Sequence, residues 1–264
     1  FLNPPQDYRD VLPAWLTSAE NAYFARSAVN RIWKHLMGRG LVEPVDDLRV
    51  TNPATHPKLL DWLTQDFINN GFRTRHIIRT ICLSDAYGRS STPLSGQPDI
   101  AAYYARANSK PMTAEVLLDA VSDVTEINED WPDNAAARAV SITGLVSPSA
   151  SLDLLGRCEV GDACNSATAA SDKLSVQLHL LNGALLNRRL ADANGDLMKL
   201  VASGATAEAV IQKFYRRAYF RSPSPRELKF WLGQFPKPSD SSFAKVAQDF
   251  VWSLLNSDEF TSSR

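Results

Sequence analysis

A mostly α-helical fold is what this sequence predicts: an irregular multi-helix domain in two helical lobes, with long loops and at most one short strand or hairpin. Three observations carry that expectation. Apolar residues recur at three- and four-residue steps towards both ends of the chain, the period of an amphipathic helix. The runs are bracketed by helix signals, with Ser, Thr or Pro before them and Gly after them. Only Ala139 to Thr143 has the β-branched composition of a strand. The 264 residues, 44% of them hydrophobic, suffice for a packed core. The lobes are drawn at residues 1–92 and 93–264, as parts of one compact domain.

Taken in order, residues 20–37 place Phe24, Ala28, Ile32 and Leu36 at four-residue steps, with Val29 and Trp33 beside them; Gly38 and Gly40 supply the stop. Thr55 is read as the N-cap of a helix from His56 to Asn70, with Pro57 in its first turn, an apolar set of Leu59, Leu60, Leu63 and Phe67, and Gly71 ending it. A helix over 73–84 buries Ile77, Ile78 and Ile81. Gly88 to Pro98 reads as a loop. Thr113 caps a helix carrying Leu117, Ala120, Val121 and Val124, and 128–172 is irregular apart from the short strand. A helix from Leu174 to Leu181 breaks at Gly183 and resumes to about Ala202. Thr206 opens the next, with Val210, Ile211, Phe214, Ala218 and Tyr219 inward. Ser224-Pro225-Arg226-Glu227 is a capping box with Pro at the first helical position, and Phe243 to Leu255 forms the last helix.

Composition excludes several function classes. Net charge is -1, from 28 basic and 29 acidic residues, without the basic excess that phosphate neutralisation demands of a nucleic-acid binder. No apolar run approaches the roughly 18 residues that span a bilayer. The opening Phe1-Leu2-Asn3-Pro4-Pro5 reads as a mature or excised fragment. The cysteines are Cys82, Cys158 and Cys164, with no Cys-x-x-Cys pair for zinc and no haem attachment motif, so no cofactor is expected in this chain. Cys158 and Cys164 are close enough in sequence to form a disulfide; two free thiols are the alternative. Cys82 reads as a buried thiol. The histidines His35, His56, His76 and His179 include no pair four apart, and no metal site is expected. Nucleophile elbows, phosphate loops and dinucleotide fingerprints are absent from the sequence.

What remains is a polar cluster inside an apolar segment. Arg31 and His35 share a helix face, and His35 is read as lying over the apolar stripe. Asp46 and Asp47 follow as carboxylate partners, then His56. Two readings compete: a structural network in which the aspartates pin Arg31 or Arg39, and a site using His35, Asp46, Asp47 and His56. On the first, replacing Asp46 or His35 mainly lowers thermal stability. The binding candidates are Asn30, Arg31, His35, Arg39, Asp46, Asp47, His56 and Arg89. Arg73, Arg75, His76 and Arg79 form a basic cluster, read as a solvated face with docking of an acidic partner as the alternative. Trp15, Trp33 and Trp62 fall in helical apolar patterns and read as core, while Trp131 is the candidate for ligand contact.

Ala14-Trp15-Leu16-Thr17-Ser18, Asn30-Arg31-Ile32-Trp33, Gly38-Arg39-Gly40-Leu41-Val42, Pro44-Val45-Asp46-Asp47 and His56-Pro57-Lys58-Leu59-Leu60-Asp61-Trp62 resemble the planctomycete-specific domain of unknown function, the 1553 family, found in large cytochrome-c-linked envelope proteins. Ser84 to Ser91, Leu117 to Val121, Leu155-Gly156-Arg157, Leu178 to Gly183 and Leu254 to Ser257 extend the resemblance over nearly the whole chain. Where many members resemble Cys-x-Cys-x-Arg, this chain has Cys164, Ser166 and Thr168. The resemblance implies an extracytoplasmic setting, other domains in the same polypeptide and often a haem-bearing one. It implies no activity, because a fold family does not confer function.

The expected function is therefore a non-catalytic binding or interaction module of a multidomain extracytoplasmic protein. It would use the 30–56 segment and the loop after Ser84 to bind another domain, a partner protein or a glycan. One alternative is an enzyme acting on polysaccharide through His and Asp acid–base groups, for which Asp46 or Asp47 would face Glu43 or Asp61 across a cleft of roughly 5–10 Å. Another is a scaffold docking a c-type cytochrome domain.

Overall fold

The computed structural model describes residues 9, 11–18, 20–21, 23–91, 101–129, 131, 138–142, 149–157, 178, 180–181 and 183–263. The chain is mostly α-helical and divides into two units after Lys110.

The first unit contains α1 (Val11–Leu16), α2 (Phe24–Met37), α3 (Pro57–Asn69) and α4 (Thr74–Cys82). Its core joins Ala25, Val29, Trp33 and Met37 of α2 to Leu60, Leu63 and Phe67 of α3 and Ile77 and Ile81 of α4. Burying each large side chain of this kind contributes roughly 1.5–3 kcal/mol. The innermost line of α2 lies one residue along from the expected one. Two four-residue ladders run side by side; the one bearing Trp33 is buried, and Ala28, Ile32 and Leu36 flank it half-buried. That rotation carries Arg31 and His35 away from the core, and both are exposed. Gly38 takes a left-handed φ of 78° and donates its N–H to the Lys34 carbonyl, which ends α2.

Several expectations for this unit are corrected. α1 buries no side chain, and Trp15 is exposed. Trp62 is exposed because Leu60 and Leu63 occupy the inward stripe of α3 and position 62 falls on the opposite flank. His56, not Thr55, is the N-cap of α3, and it makes no side-chain cap. Ile78 is also exposed, since Ile77 and Ile81 complete the buried line of α4. Cys82 is a half-buried free thiol.

The second unit contains α5 (Ala114–Thr125), a 3-10 turn (Ala139–Ser141), α6 (Ala150–Leu154), α7 (Ala184–Ala191), α8 (Asp196–Ala202), α9 (Ala207–Tyr219), α10 (Pro225–Leu232), α11 (Phe243–Leu255) and α12 (Asp258–Thr261). α5, α9 and α11 supply much of its core, including Leu118, Val121, Ile211, Phe214, Phe243 and Phe250. At the start of this unit the Met112 N–H donates to Thr261 O at 3.0 Å. Trp131 packs half-buried against this core.

The strand expected at Ala139 is a 3-10 turn. Buried Asp119 accepts from the N–H groups of Ala139 at 2.7 Å and Val140 at 3.2 Å, so these donors need no neighbouring strand. The helix expected to run on to Ala202 is two, because Asp192 to Gly195 forms a turn between α7 and α8. The capping box at Ser224 is present with both reciprocal bonds, and Thr206 caps α9 through the Ala209 N–H. Cys158, Cys164, His179, Ser166, Thr168 and most of the 174–181 segment lie outside the described residues.

Candidate functional site

The candidate residues of the first unit are held by a network that starts at Asn30. This side chain is fully buried on α2. Its Nδ2 donates to the carbonyls of Val42 and Val45, both at 3.0 Å, and its Oδ1 accepts the Val42 N–H at 3.0 Å. An apolar residue there would leave three buried backbone groups unmet, at about 1–3 kcal/mol for each such group. Gly40 is required by the same packing: a Cβ there would sit 2.5 Å from Val42 O and 3.2 Å from Asn30 Oδ1. The loop then closes on itself. Glu43 accepts the Gly40 N–H at 2.8 Å and pairs with Lys34 at 3.4 Å. Asn52 donates to the carbonyls of Glu43 at 3.2 Å and Asp47 at 2.9 Å, and the Thr55 N–H donates to Leu41 O at 2.8 Å.

The carboxylates named from the sequence are each tied to a cation. Asp46 pairs with Arg31 at 2.5 Å. Asp47 takes Arg49 through two bonds of 2.6 Å, which hold its carboxyl below the ordinary aspartate range and raise the guanidinium. Asp61 pairs with Arg26. The acid–base reading requires two carboxylates facing one another; in this loop they face arginine and lysine. His35 is exposed, and its carbonyl accepts from Lys110 Nζ at 2.5 Å, a cation placed against the C-terminal carbonyls of α2.

Three of the other candidates, Arg39, His56 and Arg89, meet at Tyr104, which the sequence reading missed. Its hydroxyl donates to the carbonyls of Gly40 at 2.7 Å and Arg39 at 3.0 Å, and Arg89 donates to its carbonyl at 2.7 Å. Its ring meets Trp33 edge-on at 5.3 Å and His56 at 5.8 Å. Tyr104 is buried with φ at +52°, a conformation that costs a non-glycine residue about 1–2 kcal/mol. Burial pushes its hydroxyl pKa up to about 12. Nothing in the local sequence marks this position, because the partners of its hydroxyl are more than 60 residues away in the turn after α2.

On the outer side of the loop, Tyr23, Pro44, Leu48 and Val50 line a shallow concavity whose remaining wall is Asp46, Asp47 and Arg49. Val50 is 97% exposed and Tyr23 65%. An exposed apolar residue and an aromatic ring are thus presented on a rigid frame between two ion pairs. Among the described residues no group of three or more His, Cys, Asp or Glu side chains is placed to hold a metal ion, and no helix is long and apolar enough to cross a membrane.

The second unit holds its own polar interior, also unseen from the sequence. Arg189, 6% exposed, pairs with Glu129 at 2.5 Å and donates to Ser122 Oγ at 2.7 Å, while Ser151 donates to the other Glu129 oxygen at 2.7 Å. Buried Asp196, at the start of α8, receives Lys213 at 2.6 Å and Arg217 at 2.5 Å. Arg221 bridges Glu227 at 2.8 Å and Glu259 at 2.7 Å, and lies 5.3 Å from the ring centres of Tyr215 and Tyr219. The readable signal was polar side chains interrupting an apolar stripe, as Asp119 and Ser122 do on α5.

Fold and site together define a helical domain in which Asn30, Asp46, Asp47, Tyr104, Arg189 and Asp196 are engaged in internal pairing. The chain belongs to the family described as PSD1, protein of unknown function (DUF1553), whose model matches residues 8–233. No curated protein and no solved structure matches it.

Proposed function

We propose that this chain is a non-catalytic interaction module of a multidomain extracytoplasmic protein, and that the concavity between Tyr23 and Val50 is its contact surface for another domain of that polypeptide. The observation that carries the reading is the near-complete exposure of Val50 on a loop locked by Asn30. A rigid loop loses little conformational freedom on binding, so its contacts translate into affinity. Tyr23 supplies an aromatic anchor, and the Asp47–Arg49 and Asp46–Arg31 pairs supply a polar rim, the composition of a small protein–protein contact. The paired carboxylates disfavour the polysaccharide-hydrolase alternative, because a general acid needs a carboxyl poised for proton transfer and not one committed to a guanidinium. The extracytoplasmic setting rests on the family resemblance alone.

The test is association of the purified chain with the separately expressed remainder of its polypeptide, followed by titration calorimetry. Val50→Asp and Tyr23→Ala should each weaken association at least tenfold with the melting temperature unchanged. Association unaffected by both substitutions would remove the surface from consideration.

A further inference from the structure

A second face of the first unit, remote in sequence from the loop, has a composition of its own. On α4, Arg75 and Arg79 are four residues apart and continue in line to Leu83, with Ile78 beside them. All four are exposed, Leu83 to 72%. Residues at this spacing are neighbours on a helix surface, and like charges there are mutually unfavourable.

The elements packed against α4 offer no relief. α2 contains no acidic residue. On α3, Asp61 is taken by Arg26, and Asp66 is taken by His76 at 2.7 Å. Asp85, just past the helix, is exposed and makes no ion pair with either arginine among the described residues. Arg75 and Arg79 are therefore without a carboxylate partner among the described residues, in a chain whose overall charge is nearly balanced.

We infer that this face of α4 docks an acidic, amphipathic protein segment, with carboxylates meeting Arg75 and Arg79 and an apolar side chain covering Ile78 and Leu83. The apolar residues interleaved with the arginines favour a peptide over a polyanion. A phosphate or sulfate polymer has nothing to place over Ile78 and Leu83, and a net charge of -1 provides no long-range attraction for one. A planar guanidinium suits a carboxylate through two parallel bonds, and each such contact strengthens as neighbouring apolar groups exclude water. The surface shares no residue with the Val50 concavity, so this inference stands apart from the proposed function.

The experiment measures binding of the intact chain to a synthetic helical peptide with glutamates four residues apart and leucines beside them. A matched peptide with glutamine for glutamate, heparin, and phosphatidylglycerol–phosphatidylcholine vesicles are the comparators. The expected result is saturable binding of the acidic peptide that weakens at least tenfold in Arg75→Glu/Arg79→Glu and in Ile78→Asp, with melting temperatures within a degree or two of the parent. Absence of peptide binding, equal binding by the glutamine peptide or the variants, or tighter binding to heparin or vesicles than to the peptide would each overturn the inference.

Discussion

Asn30 and Val42 are bound to each other twice: the Asn30 amide donates to the Val42 carbonyl and accepts the Val42 N–H, both at 3.0 Å. One side chain thus replaces the two backbone bonds that a strand neighbour would have made. It does so inside the core, where an unmet pair is most costly. The loop from Gly40 to Thr55 takes its shape from this exchange, and the exposed charges on its outer side follow from it.

Those outer charges contribute little to stability. Arg31 and Asp46 retain 60% and 49% of their side-chain exposure, and ion pairs of that kind contribute about 0–1 kcal/mol. Asp46→Asn is expected to lower unfolding free energy in urea by less than about 1 kcal/mol, contrary to the stability role the sequence suggested. His35→Ala should behave similarly, since the side chain is exposed. A loss of several kcal/mol in either variant would mean that the pairing reaches further into the core.

Acid weakens the Arg221 cluster through Glu227. Hydrogen bonds from Arg221 hold the Glu227 pKa at about 2, against an ordinary value of 4.5. A carboxyl depressed in the folded state stabilises fully above its unfolded pKa, and that contribution disappears as pH falls through the folded value. Between about pH 4.5 and 2, the melting temperature should therefore fall more steeply in the parent than in Glu227→Gln. Parallel curves across that window would show that Glu227 is not linked to folding.

Within the second unit, Glu129 neutralises Arg189 in a largely water-free setting, where burial lowers the arginine pKa. Glu129→Ala removes the partner and strands the cation, which should cost about 3–5 kcal/mol. Replacing both residues, Glu129→Leu with Arg189→Met, should recover most of the loss, because a buried pair contributes little over a well-packed apolar one. Urea unfolding of the single and double variants checks this; equal destabilisation of both would show that shape, not charge, governs the site.

Tyr104 provides an alkaline signature. Its hydroxyl, ordinarily titrating at 10.0, is pushed by burial up to about 12. A group with a raised folded pKa stabilises below its unfolded value and loses that contribution as pH climbs through the folded one. Stability should therefore decline between pH 10 and about 12; burial also raises Tyr215 and Tyr219, and ultraviolet titration of Tyr104→Phe should lose one late-ionising tyrosine relative to the parent. Simultaneous ionisation of every tyrosine near pH 10 would contradict the burial of this ring.

The helices were legible because their period and punctuation are local: the Ser224 box, the Thr206 cap and the α3 stripe all follow from residues within one or two turns. The rotation of α2 was not, since two apolar ladders fit the same segment and only the tertiary fit of Trp33 against Tyr104 chooses between them. Asp46 was paired with Arg31 as one reading held, but the pair is exposed because that rotation turns Arg31 outward. Tyr104, Arg189 and Asp196 escaped notice for a common reason: each finds partners far along the chain or on another helix, which spacing alone does not reveal.

The most direct test of a loop locked from inside is native-state hydrogen exchange at the Val42 amide, which is bonded only to the Asn30 side chain in an otherwise irregular segment. The structure predicts protection approaching that of core amides in α2, lost selectively in Asn30→Ala. Exchange of Val42 in the parent at the rate of an open loop would contradict the scaffold, and with it the fixed surface proposed for Tyr23 and Val50.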